Sequence, residues 1–81
     1  MRDFYFTFRS MTKAQQATIL LLQYGIDADF TRTPKRVSDM GCGYATRVRQ
    51  EDAYRSSLVL RQEGVYYERG VCDAGWTVDD R

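Results

Sequence analysis

The amino-acid sequence predicts one α+β domain, in which two strand–helix–strand units build a single antiparallel sheet with both helices on one face. Three observations carry this prediction: an alternation of aromatic residues near the start, two stretches with apolar residues at helical spacing, and a similarity between the halves of the chain. Since 81 residues suffice for one hydrophobic core but not for two, a single domain is predicted over residues 1–72. Residues 73–81 are mostly polar and are predicted to form a flexible tail.

The first unit begins with a strand and continues into a capped helix. Residues 4–8 alternate phenylalanine with other residues, which is the two-residue period of a strand with one buried face. Ser10 and Thr12 are good N-cap residues, and apolar residues then recur at helical spacing up to Gly25, where the helix is expected to end. The alternation returns over residues 26–33, and a proline ends this second strand because it has no backbone amide to donate.

The second unit follows a loop over residues 34–43. A third strand is predicted over Tyr44–Arg49, and the acidic residues within 50–52 favour a helix N-terminus there. The second helix is predicted over residues 53–64, again up to a glycine, and the fourth strand over residues 65–71.

The two halves also share residues at equal spacing. Thr7, Ala14, Leu21, Gln23 and Gly25 recur in order as Thr46, Ala53, Leu60, Gln62 and Gly64. Two such units with right-handed crossovers interleave into a four-stranded antiparallel sheet with both helices on one face. This is the ferredoxin-like βαββαβ arrangement, and it is the predicted fold.

Charge and hydropathy disfavour two classes of partner. The 12 basic and 11 acidic residues give a net charge of +1, which offers no strong field for binding nucleic acid. The longest apolar run is far shorter than the ~20 residues of a bilayer crossing, and the chain starts with a strand pattern rather than a signal peptide. We therefore expect a cytoplasmic protein with no membrane partner.

The residue types exclude most catalytic and metal sites. Histidine is absent, which removes the usual general base and the commonest metal ligand. The 2 cysteines lack the spacing of a zinc or dithiol site, and the alternating pair Asp27 and Asp29 is too small a ligand set for a cation. No cofactor and no metal are expected, so the sequence favours a carrier or binding protein over a turnover enzyme.

Cys42 is the candidate for covalent chemistry. In the predicted fold its loop lies at the end of the sheet where the first helix begins, near Ser10, and free backbone donors there favour a thiolate. The basic residues expected to strengthen this field are Arg9, Lys13, Lys35 and Arg36. Gly41 and Gly43 would let a partner's sulfur approach and let the loop adopt unusual dihedrals. The alternative is a small, half-buried cysteine that fills space where the loop joins the third strand. Cys72 is expected at the opposite end of the sheet.

Several short motifs resemble a known family. They are Phe6-Thr7-Phe8-Arg9-Ser10, Tyr24-Gly25-Ile26, Arg36-Val37-Ser38 and Cys42-Gly43-Tyr44-Ala45-Thr46-Arg47. From Phe4 to about Val71 the chain resembles the short bacterial selenium/sulfur carrier-like proteins, although Met40 and Gly41 stand where that family has small hydroxyl residues. The resemblance implies that Cys42 accepts a persulfide or selenide from a cysteine desulfurase-type donor and hands it to an acceptor protein.

A binding module is the alternative from another class. Tyr5, Tyr44 and Tyr66 are expected to share the helix-free face of the sheet, where they would form a partner or homodimer surface, or simply cover the sheet. The aromatic strands are superficially similar to an RNA-recognition sheet. That match fails at Thr46 and Arg47, which stand where a second aromatic and an aliphatic residue belong.

Overall fold

The structure is a computed structural model that describes residues 3–34, 43–72 and 77–79. Its strands are β1 (Asp3–Phe8), β2 (Ala28–Arg32), β3 (Tyr44–Arg49), β4 (Arg69–Cys72) and β5 (Thr77–Asp79), and its helices are α1 (Met11–Gln23) and α2 (Ala53–Gln62). A 3₁₀ turn over Gln50–Asp52 precedes α2. The sheet is antiparallel with the order β2-β3-β1-β4-β5. The first four strands and both helices confirm the predicted ferredoxin-like fold.

The side chains of the central strand β1 alternate between the two faces of the sheet. Phe4, Phe6 and Phe8 belong to the main hydrophobic core, which also contains buried residues of both α1 and α2. Because side chains alternate along a strand, Tyr5 and Thr7 point to the helix-free face. The predicted alternation therefore decides which side of the sheet the helices cover.

Helix α1 is defined by local signals at both ends. Ser10 is the N-cap, and its hydroxyl accepts a hydrogen bond from the backbone amide of Lys13 at 3.3 Å. At the other end Gly25 has a φ of 80°, and the amide of Ile26 donates to the carbonyl of Leu21 at 3.0 Å. This is a Schellman ending, which satisfies carbonyls that the helix leaves without partners.

Helix α2 ends in the same way, so the sequence repeat has a structural basis. Gly64 has a φ of 78°, and the amide of Val65 donates to the carbonyl of Leu60 at 2.8 Å. Leu60 and its counterpart Leu21 are both fully buried. The repeated leucine and glycine are thus the residues that anchor and terminate each helix.

A small buried polar cluster fixes α1 on β3. The hydroxyls of Thr18 and Thr46 lie 3.0 Å apart, and each lies 2.9 Å from the carbonyl oxygen of Ala14. These contacts supply partners for two buried hydroxyls that would otherwise be costly to bury.

The structure corrects two predicted boundaries near the end of the chain. Strand β4 begins at Arg69 rather than at Val65, because Val65 is part of the α2 ending and pairing with β1 starts only where the Glu68 amide donates to Thr7 at 2.7 Å. The predicted flexible tail contributes β5, which pairs with β4 and makes the sheet five-stranded. Within the described part of the chain, no helix has the length and apolar character needed to span a bilayer.

Candidate functional site

The structure describes part of the predicted site. The described residues are Arg9, Ser10, Lys13 and Gly43. The predictions for Cys42, Gly41, Lys35 and Arg36 lie outside the described residues.

The described residues next to the cysteine loop lie at the end of the sheet where α1 begins. The carbonyl of Gly43 accepts a hydrogen bond from the amide of Thr33 at 3.1 Å, so the β2–β3 pairing continues up to the loop. Tyr44 then pairs with Phe8, and Ser10 starts the helix two residues after Phe8. The described flank of the loop therefore lies at this end of the sheet, and the proximity of Cys42 itself to the α1 N-terminus stays a prediction.

Gly43, the described residue of the predicted loop that flanks Cys42, does not have a left-handed backbone conformation. Its φ is not positive, since Gly25 and Gly64 are the described glycines with that property. A Cβ atom built on Gly43 would meet no heavy atom within 4 Å. The residue therefore leaves open space at the loop end but is not required there by backbone strain.

A groove of about 260 Å³ lies beside the first turn of α1. It is lined by Phe8, Arg9, Ser10, Lys13, Tyr66 and Glu68, among others. The three predicted residues Arg9, Ser10 and Lys13 are thus brought together. Tyr66 and Glu68 were missed as part of this end of the molecule, although the predicted topology contained the signal: the loop from α2 to β4 must return to the end where β1 leaves the sheet.

The groove carries a net positive charge. The Nε atom of Arg9 lies 3.6 Å from a carboxylate oxygen of Glu68, and both side chains are exposed. Lys13 adds a second cation in the first turn of α1, a turn that contains no acidic residue. The positive end of the helix dipole is therefore not offset by a helix carboxylate, and the groove favours an anion.

The three tyrosines do not form the single patch that the sequence suggested. Tyr5 does lie on the helix-free face, but only 6% of it is exposed. Tyr44 lies on the opposite face, because it pairs with core residue Phe8 and directly opposite residues share a face; its ring stacks on Phe30 at 6.2 Å. Tyr66 is 75% exposed in the loop before β4 and lines the groove.

Charged residues on the helix-free face form ion pairs with one another. Arg47 contacts a carboxylate oxygen of Asp3 at 3.2 Å and also pairs with Asp29. The hydrogen bond to Asp29 is the main reason that the pKa of Arg47 is raised above its ordinary value. Asp27 pairs with Arg49 at 3.5 Å. The two aspartates considered as cation ligands are therefore already bound by guanidinium groups.

Cys72 is at the end of the sheet opposite to Tyr44, as predicted. It pairs with Phe4, is only 2% exposed, and lies in the main core. Its thiol donates a hydrogen bond to the side-chain oxygen of Gln50 at 3.0 Å. Burial makes this thiol a poor candidate for exchange with another protein.

Comparison with known families agrees with the resemblance seen in the motifs. Residues 3–72 match the model of the family described as Putative Se/S carrier protein-like. No significant match is found among curated proteins or solved structures. Since the matched region covers nearly the whole fold, from β1 to the last residue of β4, the chain belongs to the Se/S carrier-like family.

Proposed function

We propose that this protein carries sulfur or selenium on Cys42, which receives it from a cysteine desulfurase-type donor and passes it to an acceptor protein. In the loading step, the Cys42 thiolate attacks the outer sulfur of a persulfide on the donor. A new S–S bond forms at Cys42, the S–S bond in the donor breaks, and the donor cysteine leaves as a thiolate. In the delivery step, a nucleophile of the acceptor protein attacks the outer sulfur on Cys42, the S–S bond at Cys42 breaks, and Cys42 leaves as a thiolate.

The observation that supports this proposal is that Tyr44, which directly follows Gly43, pairs with Phe8, a residue that lines the positively charged groove. Consecutive Cα atoms are about 3.8 Å apart, so Cys42 is within one residue of a backbone position at the α1 end of the sheet. Cations and free amide donors in that region stabilise a thiolate over a thiol. A thiolate is the form that attacks a persulfide.

The residues of the groove suit a carrier better than an enzyme. Arg9 and Lys13 supply charge, and neither is needed to remove a proton once the cysteine is ionised. Transfer of the outer sulfur of a persulfide to a thiolate conserves atoms and electrons, so it needs no cofactor. The proposal therefore needs one accessible thiolate and a partner surface.

Intact-mass analysis tests the loading step. Wild type, Cys42→Ser and Cys72→Ser are incubated with a cysteine desulfurase and cysteine, and a reductant is then added. We expect one sulfur atom to add to wild type and to Cys72→Ser, to be absent from Cys42→Ser, and to be removed by the reductant. Addition to Cys42→Ser, or to none of the three proteins, would contradict the proposal.

The pH dependence of alkylation tests the electrostatic argument. Cys42 should react with a midpoint well below the free-cysteine pKa of about 8.5. Lys13→Gln should raise that midpoint. Arg55→Gln is the matched control, because it removes a charge from a side chain that hydrogen-bonds to the Tyr24 carbonyl at the opposite end of α1. Equal midpoints for Lys13→Gln and wild type would show that the charge of the groove does not lower the pKa of the Cys42 thiol.

The alternative function, a noncatalytic interaction or dimerisation domain on the open sheet face, has less support. Tyr5, which lies on that face in the described sheet, is buried, and Arg47 there is held by two aspartates. An unreactive Cys42 combined with a stable dimer in solution would favour this alternative.

A further inference from the structure

Strand β2 is the outer strand of the described sheet on the side away from β5. The Thr33 amide donates to the Gly43 carbonyl at 3.1 Å, which makes these two opposite residues a hydrogen-bonded pair. Such pairs alternate with non-bonded pairs along an antiparallel ladder, so Asp29 and residue 31 also bond to β3. The backbone amides and carbonyls of Phe30 and Arg32 therefore point away from the sheet. We call these outward groups the β2 edge.

The side chains beside the β2 edge form a row of aromatic and cationic groups. Phe30 pairs with Thr46, whose hydroxyl bonds to α1, so Phe30 and Arg32 lie on the helix-covered face. Phe30 is 36% exposed, and its ring stacks on Tyr44 with 6.2 Å between centroids. The Arg32 guanidinium lies 5.8 Å from the centre of the same Tyr44 ring. A side chain placed opposite Phe30 would therefore meet an exposed ring that already has a packing partner.

Helix α1 adds apolar surface on the same side of the molecule. Met11, Thr18 and Leu22 follow helical spacing and share one flank of α1. Thr18 on this flank bonds to β3, whereas Tyr24 on the other flank donates a hydrogen bond to the end of α2. The flank with Met11 and Leu22 therefore faces the β2 side, and these two residues are 47% and 51% exposed.

The charge of Arg32 indicates what kind of strand fits the β2 edge. The ion pairs among the described residues do not include Arg32, whose contact is the Tyr44 ring. Opposite residues of paired strands share a face, and the residues of β2 on this face are Ala28, Phe30 and Arg32. Because none of them is acidic, β2 of a second copy, added antiparallel, cannot place a carboxylate opposite Arg32. A segment of different sequence can do so.

We propose that the β2 edge binds an extended segment of a partner protein as an added antiparallel strand. An acidic residue of that segment lies opposite Arg32, and an apolar residue two positions later lies opposite Phe30, on the side of Met11 and Leu22. Main-chain hydrogen bonds to Phe30 and Arg32 supply affinity, and the alternate side chains supply specificity.

Amide hydrogen exchange and NMR titration of the full chain test the geometry. The probe is the capped peptide Glu-Thr-Val-Thr-Val, whose first valine is opposite Phe30 when its glutamate is opposite Arg32. Without the peptide, we expect the amides of Phe30 and Arg32 to exchange fast and those of Asp29 and Thr31 to be protected. With the peptide, exchange at Phe30 and Arg32 should slow and their shifts should saturate. Protection of the Phe30 amide without the peptide, in a monomer or in a dimer, would overturn the proposal because the edge would already be covered.

Two N-methylated peptides test whether the contact is a strand. A methyl group on the nitrogen of the first valine removes a hydrogen bond to the Phe30 carbonyl and should abolish binding. The same group on the second threonine, whose amide points away from β2, should leave binding within about twofold. Equal effects of the two methyl groups would refute strand addition.

A charge-reversed peptide tests the role of Arg32. Lysine in place of the glutamate should weaken binding to wild type by about fivefold, since cross-strand charge pairs contribute on this order. Arg32→Gln should remove the difference between the two peptides, whereas Arg55→Gln, on α2, should preserve it. Equal affinities of the two peptides for wild type, or an unchanged difference in Arg32→Gln, would contradict the proposed partner chemistry.

Discussion

The contact between α1 and β3 makes a quantitative prediction about two buried threonines. Three oxygen atoms, from Thr18, Thr46 and the Ala14 carbonyl, lie within 3.0 Å of one another. Two hydroxyl hydrogens are available, so two hydrogen bonds exist at any time. In Thr46→Val the shape is nearly retained, one hydrogen bond is lost, and the Thr18 hydroxyl still donates to Ala14. No buried polar atom is left without a partner.

The expected cost of Thr46→Val is therefore that of one hydrogen bond, about 1 kcal/mol. For a domain of this size that corresponds to a decrease in Tm of about 4–8 °C. Thr7→Val is the matched control: Thr7 is the repeat counterpart of Thr46 and is equally buried, but its hydroxyl lies 3.5 Å from the Arg69 carbonyl, at the limit of a hydrogen bond. Its cost should be smaller, about a few tenths of a kcal/mol.

Urea unfolding followed by circular dichroism measures both variants and the double variant Thr18→Val/Thr46→Val. The double variant should lose about 2 kcal/mol, because both hydrogen bonds are gone. A Thr46→Val variant that is as stable as Thr7→Val would refute the reasoning. A loss above about 3 kcal/mol would also refute it, because that value indicates a buried group left unpaired.

Three further predictions concern stability and pH. Ser56→Ala should raise the free energy of unfolding by about 1 kcal/mol, because the fully buried Ser56 hydroxyl has no hydrogen-bond partner in the described part of the structure; an unchanged or lower urea midpoint would count against this. Gly64→Ala should lower the Tm, since a side chain at its φ of 78° costs about 1–2 kcal/mol, whereas Gly43→Ala should be nearly neutral. The hydrogen bond from Tyr24 to Glu63, 2.7 Å long, is the main cause of a raised pKa at Tyr24, so its stabilising effect should be present below pH ~10 and lost as the pH rises through the raised value. Ultraviolet titration of wild type and Glu63→Gln checks the direction: the variant should show earlier ionisation of one tyrosine.

Most of the fold could be predicted because its signals are local. Ser10 marks the beginning of α1, Gly25 and Gly64 mark the helix ends, and the alternation around Phe6 defines the buried face. These features depend on neighbours in the sequence, and the repeat then suggests how the two units combine. The fifth strand had no such signal, since three residues of mixed type resemble any polar tail.

The common face for the three tyrosines was predicted wrongly because a loop interrupts the two-residue alternation of side chains. The face to which the first residue after a loop points therefore cannot be inferred from the preceding strand. Tyr44 directly follows the loop, and its partner Phe8 rather than its own neighbours decides its face. Tyr66 was assigned to a strand because residues 65–68, which form the α2 ending and the return to the sheet, were counted as part of the fourth strand.

The strand order has a consequence for self-association. In the described sheet β5 covers the outer side of β4, and β2 is the last strand on the other side. The outward amides and carbonyls of β2 therefore form a template to which another chain could add, which is how sheet proteins begin to aggregate. Asp29 and Arg32 place charges on this edge, and Pro34 follows shortly after it. Charges and a nearby proline are the features that disfavour edge-to-edge pairing of identical strands.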